Sequence, residues 1–144
     1  MKKILFVCHG NICRSPMAEY ILKYLTNNEW LISSKATSNE EIGNDIHYGT
    51  KEVLDKHNIP YSKHYASRVT MDDLDYYDLI VGFDEYNMRN LKRMFNNSKK
   101  IVKLLDKDVD DPWYTGDFDK TYDDIYNGCI ELIKKIKEEN VWKY

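Results

Sequence analysis

The chain has 144 residues, of which 42% are hydrophobic and 31% charged, with a formal net charge of −3. That length suits one domain over 1–144 with a true core, and an acidic balance without a basic stripe argues against nucleic-acid or membrane partners. Three cysteines cannot all pair, no apolar run reaches membrane-spanning length, and the stretch 4–7 is interrupted too soon for a signal peptide, so a reduced, cytoplasmic monomer is expected.

In chain order, Ile4-Leu5-Phe6-Val7 reads as a buried strand. After it comes Cys8-His9-Gly10-Asn11-Ile12-Cys13-Arg14-Ser15-Pro16, and then Met17, Ile21 and Leu25 at helical spacing, with Ala18 and Leu22 widening the stripe. Ser15 suits an N-cap and Pro16 the first helical position. A strand, a tight loop and a helix start in this order aim backbone N–H groups and the positive helix end at one point, which makes an anion site. Cys8 opens the loop and Arg14 closes it, with five residues between them. A thiol so placed should titrate at roughly 3.5–7.5 instead of about 8.5, and would then be a nucleophile. Arg14 can grip two oxygens of a tetrahedral oxyanion at once. Gly10 is expected to supply the unusual backbone turn, and Asn11 to stiffen the loop from inside. His9, Ile12, Cys13 and Ser15 complete the candidate phosphate-binding loop.

Beyond the first helix, Trp30-Leu31-Ile32-Ser33-Ser34 reads as a second strand, followed by Ala36-Thr37-Ser38 and a loop over 39–45. A helix is predicted over 47–57, with Val53 and Leu54 inward, ended by Asn58-Ile59-Pro60. Thr70 and Asp73 fit a capping box for a short helix over 71–77. The apolar run between Asp78 and Asp84 reads as an interior strand, 85–95 as a helix and 101–105 as the last strand. Tyr122, Ile125, Cys129, Ile133 and Ile136 mark one face of a C-terminal helix, with Cys129 inert in the core. This alternation predicts an α/β fold: a four-stranded parallel sheet with helices on both faces, doubly wound and flavodoxin-like. Sites in such sheets lie beyond the carboxyl ends of strands. The loop 106–117 therefore shares a rim with the Cys8 loop. Five acids crowd it, and spacing alone does not choose among them. Asp111-Pro112 is the dipeptide pinned by proline, and Trp113 and Tyr114 follow to exclude water.

The run from Cys8 to Pro16 resembles the C-x5-R-S signature of the low-molecular-weight protein tyrosine phosphatases, and the likeness extends along nearly the whole chain. The resemblance implies phosphoryl transfer in two steps, with Cys8 forming a cysteinyl-phosphate and Arg14 and the loop holding the oxygens. It makes Asp111, in its D-P-aromatic motif, the general acid, and gives Ser15 the task of easing thiolate departure. It also implies that His64, in His64-Tyr65-Ala66-Ser67-Arg68, braces the loop through Asn11 or a loop carbonyl. Cys13 would pair reversibly with Cys8, and Trp113 and Tyr114 would wall a flat aromatic ring. The implied partners are phosphotyrosine-containing proteins, with inorganic phosphate or another tetrahedral oxyanion as product or inhibitor. The family's A-T-S…I-G segment walls one side of the cleft but carries an aromatic where Glu40 stands here. Glu40 is then either a solvated loop charge or a rim carboxylate that welcomes basic flanking residues.

Three alternatives share the fold. A protein-arginine phosphatase resembles this group but with Thr in place of Ile12. An arsenate reductase needs further cysteines in mid-chain, and none lies between Ser15 and Cys129. A non-catalytic phosphate-binding module would lack Cys8 or Asp111. No cofactor or metal is expected: Cys8 and Cys13 lack zinc partners at suitable spacing, and the acidic loop does not match a calcium hand.

Overall fold

Residues of the first strand, β1 (Lys3–Cys8), alternate between two layers, because successive strand side chains point to opposite faces. Ile4, Phe6 and Cys8 enter one hydrophobic cluster, and Leu5 and Val7 enter the other. A strand that is apolar on both faces must be covered on both. The computed structural model describes residues 2–143 and shows how that is done. After β1 come α1 (Arg14–Leu25), β2 (Leu31–Ala36), α2 (Tyr48–Lys56), α3 (Asp72–Tyr76) and β3 (Leu79–Gly82). The chain continues through α4 (Glu85–Met94), β4 (Ile101–Lys103), α5 (Pro112–Thr115) and α6 (Phe118–Lys143). The strands form one sheet in the order β2-β1-β3-β4, every neighbouring pair parallel. Met17 and Ile21 of α1, Leu54 of α2 and Ile125 and Cys129 of α6 cover one face, while Met88 and Leu91 of α4 with Val69 and Tyr77 cover the other. The predicted four-stranded parallel sheet with helices on both faces is what forms.

This topology places the site. From β1 the chain first moves to β2 on one side and then crosses to β3 on the other, so strand order reverses at the carboxyl end of β1. Cys8 is the last residue of that strand.

Several boundaries differ from those predicted. Helix α1 begins at Arg14, with Cys13 at the cap position and no side-chain cap. Ser15 is therefore not the N-cap, and Pro16 is the third helical residue, where its missing N–H has no intrahelical acceptor to satisfy. Strand β2 starts at Leu31, because its register pairs Lys3 with Leu31 and Cys8 with Ala36, which leaves Trp30 outside. Strand β4 stops at Lys103, and Leu104 turns into the layer formed by α1 and α6. Only half of the Thr70–Asp73 capping box forms: the Thr70 N–H donates to Asp73 Oδ2 at 2.8 Å, but the Asp73 N–H donates to the Thr70 carbonyl. The short helix α5 was not predicted; the fixed φ of Pro112 opens it and left-handed Gly116 closes it.

Helix α2 starts tightly against α6. A Cβ built on Gly49 would lie 2.5 Å from the ring of Phe118, which itself stacks on His47 at 5.1 Å. Gly49→Ala is expected to cost about 1–3 kcal/mol through overpacking, measured as a lower denaturation midpoint. An unchanged midpoint would mean that the Phe118 ring moves aside freely.

Candidate active site

The loop after β1 turns on Asn11, which is left-handed at φ 61. Asn accepts that conformation more readily than most residues. Gly10, expected to make the turn, is not in the positive-φ region; a Cβ there would meet Glu41 Cγ at 3.4 Å, an ordinary contact. Asn11 uses every polar group it has. Its N–H points at Cys8 Sγ (3.3 Å), and Nδ2 donates to Ser15 Oγ (2.8 Å). Oδ1 accepts from the Ser67 N–H (3.1 Å), and the carbonyl accepts from His64 Nε2 (2.7 Å). With Oδ1 committed to Ser67, the orientation of the amide is determined. Ser15 Oγ then accepts from Asn11, and its own hydrogen is free for Cys8 Sγ, 3.1 Å away. His64 must carry its proton on Nε2 to make this bond, so it sits under the loop as a brace. Asn11 and Ser15 are both fully buried; their side chains lie behind the loop and do not line the cavity.

Arg14 is 2% exposed. Its NH1 donates to Asp84 Oδ2 (2.7 Å) and to the Val109 carbonyl (2.9 Å), and NH2 lies 3.5 Å from Asp111 Oδ2. Burial alone would weaken its hold on a proton, but charge on Cys8, the Asp84 hydrogen bond and Asp111 outweigh that and raise it above its ordinary value. Asp84 also caps α4, its Oδ1 accepting from the Asn87 N–H at 2.7 Å. The sequence marked Asp84 only as the end of an apolar run, and Val109 not at all. The available signal was position: both follow the carboxyl ends of β3 and β4, on the same rim as Cys8.

Asp111 caps the short helix α5, with Oδ1 accepting from the Trp113 N–H at 3.0 Å. Its other oxygen remains turned toward Arg14. The cavity these groups bound is about 90 Å³ and is lined by Cys8, His9, Gly10, Ile12, Cys13, Arg14, Glu40, Glu41, Asp111, Trp113 and Tyr114. Ile12 and Cys13 pack with Ala66 on the inner side. Burial, then charge on Cys8 and Asp111, pushes the Cys13 thiol up, so it stays protonated at neutral pH. Glu40 stands on the lip with its side chain 68% exposed, Oε2 being 2.9 Å from His9 Nε2. Glu41, which the sequence did not single out, is held by Asn44 Nδ2 at 2.6 Å. Trp113 and Tyr114 line the cavity and are exposed. Cys129 is wholly buried in α6, away from the site. Among the described residues, no group of three or more His, Cys, Asp or Glu is placed to hold a metal ion, and no helix is long and apolar enough to cross a membrane.

A cysteine and a buried arginine lining one cavity at the switch point of a parallel sheet, with an aspartate from a neighbouring loop, define the Cys-x5-Arg class of α/β phosphatases. A sequence profile described as low molecular weight phosphotyrosine protein phosphatase matches residues 3–141. The chain is 39% identical to the low molecular weight protein-tyrosine-phosphatase YfkJ of Bacillus subtilis, over 96% of this chain and 98% of that protein. It is 36% identical to the human low molecular weight phosphotyrosine protein phosphatase, over 96% and 95% of the two chains. Its fold superposes on the crystal structure of the Streptococcus pyogenes low molecular weight protein tyrosine phosphatase with a TM-score of 0.90, at 41% identity over 94% and 93%. The chain belongs to the low molecular weight phosphotyrosine protein phosphatase family.

The segment bearing His64 is tied down by Asp45, whose Oδ1 accepts from the N–H groups of Ile46 and His64 and whose Oδ2 meets Lys51 at 2.8 Å. The Lys51 hydrogen bond first, with the two backbone N–H groups, lowers its carboxyl from 3.8 to about 2 despite partial burial. Because the folded value lies below the unfolded one, this stabilisation is complete above the unfolded value and is lost as pH falls through the folded one. Asp45→Asn should therefore show a lower melting temperature than the parent from pH 7 down to about 4. The gap should narrow below 3.8 and close near 2. A gap that does not change with pH would remove the charge from this account.

Proposed function

We propose that the protein hydrolyses phosphotyrosine monoesters of proteins through a cysteinyl-phosphate intermediate. One observation supports this most directly: Asp111 commits Oδ1 to the Trp113 N–H and leaves Oδ2 facing the same cavity as Cys8 and Arg14. A nucleophile, an oxyanion clamp and a proton donor then surround one small space. In the first step the Cys8 sulfur attacks phosphorus in line, the bond from phosphorus to the phenolic oxygen breaks, and Asp111 gives that oxygen its proton. Arg14 and the loop N–H groups hold the equatorial oxygens as charge redistributes. In the second step Asp111 takes a proton from water, the water oxygen attacks phosphorus, and the sulfur–phosphorus bond breaks. Inorganic phosphate leaves, and the departing thiolate is met by the Ser15 hydroxyl and the Asn11 N–H.

Trp113 and Tyr114 supply flat walls for the tyrosine ring. Ile12 keeps the inner wall apolar, which suits an aryl ester better than a phosphoguanidinium. Glu40, on the lip, favours a basic residue flanking the phosphotyrosine. Cys13 is assigned the protection of Cys8: peroxide oxidises Cys8 to a sulfenic acid, and the Cys13 thiol displaces water to close a disulfide. All three cysteines are unbridged, which fits a reducing, cytoplasmic setting.

Cys8→Ser is expected to abolish aryl phosphate turnover, and Asp111→Asn to slow it by about 10²–10⁴-fold. Substantial steady-state hydrolysis by Cys8→Ser would overturn the mechanism. Side by side, phosphotyrosine peptides should be hydrolysed in preference to phosphoarginine peptides, and the reverse order would reassign the substrate.

A further inference from the structure

His9 lines the cavity beside Cys8, but it also lines a second, larger groove of about 360 Å³. Tyr86, whose ring centre is 6.0 Å from that of His9, lines both this groove and the outer mouth of the cup, so the two spaces share a wall. The groove is lined by Arg68 and Arg93 and by no carboxylate. In a chain of net charge −3 with only four arginines, that placement is selective: Arg14 serves the cup and two of the remaining three face this groove. Neither Arg68 nor Arg93 has a carboxylate partner among the described residues; Arg68 NH1 makes one contact, donating to Asn39 Oδ1 at 3.3 Å. The groove also holds Asn90 and Ser38, and Thr37, whose buried Oγ1 has no hydrogen-bond partner among the described residues. A groove lined by two uncompensated guanidinium groups together with neutral donors suits an anion.

We propose that this groove is a subsite for a second anionic side chain of the substrate, a carboxylate or a second phosphate near the phosphotyrosine in sequence. The inference rests on the phosphotyrosine phosphatase reading, because the cup must hold the first phosphate for the groove to receive its neighbour. Each residue of an extended peptide advances about 3.3 Å, so a residue a few positions from the phosphotyrosine reaches past His9 and Tyr86. Together with Glu40 on the lip, the groove gives the mouth a charge polarity: a basic flanking residue is favoured at Glu40 and an acidic or phosphorylated one at Arg68 and Arg93.

The test is a phosphotyrosine peptide scanned from four residues before to four residues after the phosphotyrosine, with Ala, Glu or phosphoserine at each position. An aryl phosphate serves as the control substrate. At one position, Glu or phosphoserine should raise kcat/KM about three- to tenfold over Ala, as expected for one or two partly exposed ion pairs. That advantage should disappear in Arg68→Gln with Arg93→Gln, while aryl phosphate turnover stays within about twofold. Arg89→Gln removes one positive charge on α4 outside the groove, against two in the double variant, and should keep the advantage. A gain with phosphoserine but not Glu would assign the subsite to a second phosphate, and an equal gain would assign it to acidic side chains generally. Turnover that ignores flanking charge, or an advantage that survives in the double variant or is lost in Arg89→Gln, overturns the subsite alone. No turnover of any peptide or of the aryl phosphate would overturn the phosphatase reading, and the subsite with it.

Discussion

Asn11 holds a left-handed backbone, and four hydrogen bonds from that single residue tie together Cys8, Ser15, His64 and Ser67. A loop between a strand and a helix would otherwise fluctuate, because its apolar contacts are limited to Ile12 and Cys13 against Ala66 and Phe118. Here the anchoring is polar and largely buried, so an unmade bond at Cys8, Ser15 or His64 would leave a desolvated group unpaired at a cost of about 1–3 kcal/mol. The network is complete, and it holds the sulfur between the Asn11 N–H and the Ser15 hydroxyl with little freedom. A change to Asn11 would therefore disturb sulfur, helix start and brace together.

The arginine is treated similarly. Asp84 and the Val109 carbonyl hold NH1 from behind, leaving the rest of the guanidinium to the cavity. These bonds order the guanidinium as the chain folds, before any ligand arrives. Asp84 divides its two oxygens between Arg14 and the α4 cap, as Asp111 divides its own between the α5 cap and the cavity. Both acids sit at the start of a helix, and in both the cap fixes the carboxylate so that its second oxygen has a defined direction.

The sequence exposed those parts of the site that are local. Cys8, Arg14 and the strand–loop–helix order lie within one short stretch, and Asp111-Pro112 is marked by its own backbone restriction. The parallel sheet followed from alternating strands and helices. What stayed hidden depends on side chains from distant segments meeting. Asp84 reads as the end of an apolar run until the sheet places it under Arg14. Ser15 reads as a cap until the helix starts two residues earlier and turns its hydroxyl toward the sulfur. Gly10 looked like the residue that makes the turn because glycine is the usual occupant of left-handed positions; an Asn whose side chain is bonded at both ends does it instead. Arg68 and Arg93 are separated by 24 residues and have no local pattern to link them.

The sequence separations in this network have a biosynthetic consequence. Loop partners lie 53 and 56 residues downstream at His64 and Ser67, 70 at Asp84 and 95 at Val109. Cys8 is made well before its surroundings are complete, since Arg14 is not held until Val109 has been translated. At about 5–20 residues per second that delay is roughly 5–20 s. Throughout that interval the nascent chain carries Cys8 and Arg14 without the Val109 contact and without Asp111. Assembly of the cavity is thereby tied to the segment beyond β4, and a product truncated before Val109 lacks the contact that holds Arg14.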